Sequence, residues 1–190
     1  MVNIKHPKKF GDLPDSRRHD AIVQEIENEK QSDRAVAIIG ASYVDLVLRE
    51  AISVRLLPDD ELMKNLFEDR GPLQDFGSRI QVAFALKVYG RAAYQDLGAI
   101  KKIRNGFAHS ADAMDFNHQD VALLCRGLWY PQKIQYENRP KPTTSRELYV
   151  RAIALVTDLL HENLLRRKHG MPDAAGILMA PGPRPGTKRP

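Results

Sequence analysis

Residues 104–109 read Arg-Asn-Gly-Phe-Ala-His, and three of the six carry groups that can do chemistry. Cleaving RNA without a metal needs a proton shuttle for the 2′-hydroxyl and the leaving oxygen, which a histidine such as His109 supplies. It also needs a cation for the charge that builds on the phosphate, which Arg104 supplies. Asn105 stands four residues before His109, a spacing that puts both on one helical face and lets the amide orient the imidazole. Arg104 stands five before, and on an ideal helix five residues rotate by about 140°. The pair therefore converges only if the helix ends between them, and Gly106 offers such an end. The same residues also suit a structural role: Arg104 capping a helix C-terminus or pairing with a carboxylate such as Asp112, His109 bonding a nearby carbonyl and Asn105 bonding backbone. A third use is contact with a partner or ligand, to which Arg79, Arg104 and His109 are the candidates.

The remaining candidates lean towards architecture. Arg79 is placed to pair with Asp75 at i−4, or else to face the same cleft as Arg104. Gly71-Pro72 reads as a turn that sets the entry of the next helix. Trp129-Tyr130-Pro131 reads as a core edge or a dimer contact, since a base-stacking platform would have basic residues interleaved with its rings. His118, His161 and His169 stand isolated, and only His109 and His118 form even a loose pair, so no metal site and no cofactor is expected. The lone Cys125 leaves no disulfide and no paired-cysteine motif, which points to a reducing, cytoplasmic setting.

Helices must position these groups. Ile22, Val23 and Ile26 mark a first helix over 16–30. Ser32 and Asp33 give an N-cap for a long helix to about Leu57, with Val36, Ile39, Tyr43, Leu46, Val47 and Val54 at three- and four-residue intervals. Pro58 stops it, and Asp59 and Asp60 start a short helix through Phe67. Ile80, Phe84 and Val88 stripe the next, which the Tyr89-Gly90 step ends. Tyr94, Leu97, Ile100 and Ile103 stripe the helix that delivers Arg104. A further helix is expected over 119–129, then a long connection from Pro131 to Pro142. A last helix runs over 145–168, where Arg166-Arg167-Lys168 suits the negative end of its dipole. The expectation is an all-α single-domain bundle of six to seven helices over 16–169. No βαβ alternation and no internal repeat is visible, which argues against nucleotide-binding α/β folds and solenoids.

The net charge of +5 sits mainly at the ends. Residues 1–18 carry five Lys/Arg against two acids and residues 166–190 six against one, leaving 19–165 at −3. Residues 1–15 are expected to be a flexible basic tail and 170–190, rich in Pro and Gly, a disordered one. Such tails attract polyanions weakly and without specificity, whereas the body has no dedicated basic groove. Neither a signal peptide nor a membrane span is expected.

Three pieces in order carry a resemblance: Ser32-Asp33-Arg34-Ala35-Val36-Ala37-Ile38-Ile39-Gly40-Ala41-Ser42-Tyr43; Gly71-Pro72-Leu73 with Phe76 and Arg79-Ile80; and Ile103-Arg104-Asn105 with Phe107-Ala108-His109. Together they look like the mannitol operon repressor family, over about residues 30–130. The resemblance implies a bacterial transcriptional repressor of sugar-alcohol uptake. No helix-turn-helix with a basic recognition helix accompanies it, so regulation through a transcription-factor protein partner is expected rather than direct DNA reading. The Arg104-Asn105…His109 spacing also resembles the signature of HEPN domains, helical modules that include RNA-cleaving toxins. That resemblance implies a homodimer whose two copies complete a metal-independent ribonuclease site, catalysed by Arg104, Asn105 and His109, with RNA drawn in partly by the tails. The regulator is the leading expectation and the ribonuclease the alternative; a homodimer is expected either way, and an oligomerisation module is the third possibility.

Overall fold

The computed structural model describes residues 15–68, 70–110, 113–134 and 140–171; the expected tails fall almost wholly outside them, as do Asp69 and Asp112. Among the described residues there are eight helices and no strand. They are α1 (Asp15–Glu27), α2 (Asp33–Ser53), α3 (Asp60–Phe67), α4 (Phe76–Ala85), α5 (Arg91–His109), α6 (Gln119–Arg126), α7 (Tyr130–Lys133) and α8 (Ser145–Lys168). None is long and apolar enough to cross a membrane.

The two longest helices pack on each other and organise the rest. The Ser32 side chain accepts the Ala35 N–H at 3.2 Å, satisfying one of the free donors at the start of α2. From there Val36, Val44, Val47, Leu48 and Ile52 are wholly buried. α8 begins with a capping box, in which Thr144 Oγ1 accepts the Glu147 N–H at 3.1 Å and the Glu147 carboxylate accepts the Thr144 N–H at 2.9 Å. Gly40 lets these helices meet closely: a Cβ there would lie 3.1 Å from Ile153 Cγ1. Nearby, Tyr149 donates its hydroxyl hydrogen to the Ala37 carbonyl at 2.7 Å. α1, α4 and α5 then lean on α2, while α6 and α7 lean on α8.

Five features depart from the expectations. α7 is an additional helix, one turn long, where a connection was expected. Its cause is remote in sequence: Asp96 of α5, 1 % exposed, accepts the Trp129 and Tyr130 N–H groups at 2.8 and 2.9 Å. Tyr130 is buried and Trp129 half-buried at the edge of the core. α2 stops at Ser53 rather than near Leu57, and α6 stops at Arg126, before Gly127. α4 ends at Ala85, and Val88 reaches the core only after a turn through Lys87 at φ 57°. Finally, α5 does not break at Gly106 but runs on to His109. One glycine inside a helix costs only about 1 kcal/mol, and burying the whole of Phe107 next to it outweighs that cost.

Candidate functional site

Because α5 is continuous, Arg104 and His109 diverge by about 140° around its axis. A single chain therefore does not bring them together. Asn105 and His109 do share a face, as their spacing predicts. They end a stripe along α5, Arg91-Gln95-Gly98-Lys102-Asn105-His109, whose members are all exposed or half-exposed. Alternate steps of four and three residues keep such a stripe on one side of a helix. Arg104 lies half-buried beside it and donates to Asn105 Oδ1 at 3.1 Å.

Arg104 also lies close enough to Asp45 of α2 to act on its charge. Burial pushes the Asp45 carboxyl up, against the pull of Arg79 and Arg104. Arg79 is the direct partner: its Nη1 meets Asp45 Oδ2 at 2.5 Å, while Nε and Nη2 donate to the Leu73 and Gln74 carbonyls at 2.8 and 2.6 Å. The expected pairing of Arg79 with Asp75 is thus corrected. Asp75 instead caps α4, accepting the Gly77 and Ser78 N–H groups and the Ser78 hydroxyl, whose hydrogen bond leads in holding its pKa down. Arg79 is 9 % exposed, and its three hydrogen bonds lock the turn after Gly71-Pro72 onto α2. Gly71 fits that turn because a Cβ would fall 2.3 Å from the Asn65 carbonyl oxygen.

The Ser32-Asp33-Arg34 run proves equally architectural. Asp33 accepts the Phe116 N–H at 2.8 Å and pairs with Arg146 of α8 at 2.5 Å. Arg146 further donates to the Gln31 and Asn28 carbonyls, and Arg34 to the Ser110 carbonyl at 2.8 Å, just past His109.

Around the α5 stripe lies a trough of about 440 Å³. α5 supplies its floor, Gly77, Ile80 and Gln81 of α4 one wall, and Leu124 of α6 part of the other. Its polar groups are Gln81, Gln95, Lys101, Lys102 and Asn105, and no carboxylate lines it. Gly98 leaves its floor open, since a Cβ there would meet nothing within 4 Å. Lys101 reaches across to α4, its ammonium 2.1 Å from where a Gly77 Cβ would stand. At the far end the Arg91 guanidinium lies over the rings of Phe84 and Tyr94, at 5.0 and 5.7 Å.

A second polar cluster escaped the sequence reading, which took His161 as isolated. His19 of α1 contacts the Tyr43 hydroxyl through Nδ1 at 3.3 Å and Asp158 Oδ1 through Nε2 at 3.0 Å. The His161 ring stands edge-on to it, with centroids 5.4 Å apart. These residues come from α1, α2 and α8, so no local spacing announced them. His118 and His169 are exposed. Among the described residues no group of three or more His, Cys, Asp or Glu is placed to hold a metal ion. Burial pushes the Cys125 thiol up to about 12, which leaves it protonated and inert at neutral pH.

The sequence matches no known family profile, and no curated protein matches it either. Among solved structures, it is similar to a chain in the X-ray structure of the MtlR–HPr complex from Escherichia coli. The TM-score is 0.60 at 15% identity, over 75% of this chain and 97% of that one. At that identity the likeness establishes architecture alone: this chain has the all-helical fold seen in the MtlR–HPr complex.

Proposed function

We propose that the protein is a regulator of the mannitol-repressor type, which acts by binding a partner protein rather than by reading DNA. The observation that carries this reading is the shared fold with a chain found in a protein–protein complex. The charge distribution supports it, because a body at −3 repels a polyanion and its sequence offers no helix-turn-helix with a basic recognition helix. Of the residues expected to make the contact, His109 is exposed at the end of α5 and is the one we place against the partner. Arg104 is half-buried and bonded to Asn105, and Arg79 is bonded to Asp45 and two carbonyls inside the fold. Within one chain continuous α5 holds Arg104 and His109 apart, so the ribonuclease alternative would need the residues of a second copy and is not our reading.

The test is isothermal titration of the full chain with the HPr protein of its own source organism. A dissociation constant on the order of micromolar is expected, weakened about fivefold or more by His109→Ala with the circular dichroism spectrum unchanged. Absence of binding at about 100 μM, a concentration at which weak complexes still register, would refute the HPr-type partner. Cleavage of a single-stranded RNA pool in EDTA by wild type but not by His109→Ala would replace the regulator with an enzyme.

A further inference from the structure

α3 is the least embedded of the helices longer than one turn: of its eight residues only Phe67 is buried. The run leading into it, Leu57-Pro58-Asp59-Asp60-Glu61-Leu62, is exposed throughout, with Leu57 at 69% and Leu62 at 38%. It therefore presents two leucines around three carboxylates. Asp59 is occupied locally, accepting the Leu62 N–H as the cap of α3, whereas Asp60 and Glu61 point their charge outward.

The α5 trough is the complement of this edge in three respects. Its sign is opposite: Lys101 and Lys102 line it, the one carboxylate near them is Asp75 beside Lys101 at the α4 wall, and the single acid of α5, Asp96, is buried under α7. Its walls are apolar where Ile80, Tyr94, Ala99 and Leu124 stand, which suits leucines and gives a bare polyanion nothing to pack on. Its length also fits. From Tyr94 to Asn105 the floor spans about 16 Å, and the eight residues of α3 about 12 Å.

We propose that the occupant of the trough is a second copy of this chain, which lays Leu57 and Leu62 against the apolar walls and sets Asp60 and Glu61 against Lys101 and Lys102. Each copy carries both halves, so a two-fold axis makes the contact twice and closes the assembly at a dimer. The proposal is independent of the HPr-type partner, since self-association is measured with the chain alone.

Sedimentation of the full chain gives the test. The wild type is expected to dimerise at tens of micromolar or below, and less tightly at about 0.5 M salt, where charge pairs are screened. Lys102→Glu alone, and Asp60→Lys with Glu61→Lys, should each weaken the dimer about tenfold. All three substitutions in one chain should bind more tightly than Asp60→Lys with Glu61→Lys, because one charge pair is then exchanged and complementary again while Lys101 still opposes the other. Circular dichroism checks that each variant folds, and all three sites are exposed. A monomeric wild type, a dimer indifferent to both reversals, or failure of the combined variant to bind more tightly than Asp60→Lys with Glu61→Lys would each overturn the proposal. So would a monomer that binds a single-stranded oligonucleotide through Lys102, which would make the trough a phosphate-tracking surface.

Discussion

Asp33 and Asp60 each open a helix, α2 and α3, and there the similarity ends. The Asp33 carboxylate is shared between the Phe116 N–H and the Arg146 guanidinium, so it joins segments 83 and 113 residues away. Asp60 faces water. One residue type at one kind of position thus serves as a junction in the first region and as surface charge in the second. The difference lies in what the rest of the chain brings to it. Acids committed to the fold cannot also serve a partner, and this sorting directs attention to α3 and the α5 stripe rather than to the Ser32-Asp33-Arg34 run.

The sharpest way to break the comparison is Asp33→Ala. It leaves the Phe116 N–H without its acceptor and a partly buried Arg146 with two carbonyls but no carboxylate, and should lower the unfolding free energy by about 3 kcal/mol in urea denaturation. A loss below about 1 kcal/mol would place Asp33 with the ordinary surface acids. A smaller effect is expected at Asp96, whose carboxyl burial pushes up to about 6, against the pull of the Trp129 and Tyr130 N–H groups. A raised carboxyl means that the folded state holds its proton more tightly than the unfolded chain. That contribution to stability is complete below about pH 4 and is lost as the pH rises through about 6. Wild type should therefore lose on the order of 2 kcal/mol between pH 4 and 7 relative to Asp96→Asn. Asp75 and Glu147, whose carboxyls are lowered, act in the opposite sense but equally in both proteins, so the difference isolates Asp96. Equal pH profiles would sink this assignment. Last, Asp60→Ala should cost less than about 0.5 kcal/mol, the worth of one exposed charge in a first helical turn. A larger loss would show that α3 is anchored through this residue and is not a free edge.

What the sequence disclosed was local. Ser32 before an apolar stripe, Pro58 followed by acids, and Arg166-Arg167-Lys168 at a helix end are signals within a turn or two of what they determine. They placed the start of α2, the whole of α3, and both ends of α8. Where tertiary contacts decide, the local signal misled or was silent. Gly106 offered a helix end that burial of Phe107 outweighs. Arg79 read as a partner of Asp75 because Asp45, its real partner, lies 34 residues away. α7 had no signal of its own, since its cap is a side chain on α5, and the His19–Tyr43–Asp158 contacts cross three helices. The motif at 104–109 was legible as a motif, and Asn105 with His109 kept the shared face that their spacing implies. Which of its residues face outward depended on where α5 ends.

The Asp33 junction also bears on how the chain acquires its shape. Arg146 lies at the start of the last helix, and α8 is the surface on which α2 lays Gly40, against Ile153 and Tyr149, and the Ala37 carbonyl, bonded by Tyr149. During synthesis, α1 to α7 leave the ribosome before α2 has its principal partner. The N-terminal three-quarters must therefore wait with an apolar flank uncovered, and native closure comes only as α8 emerges.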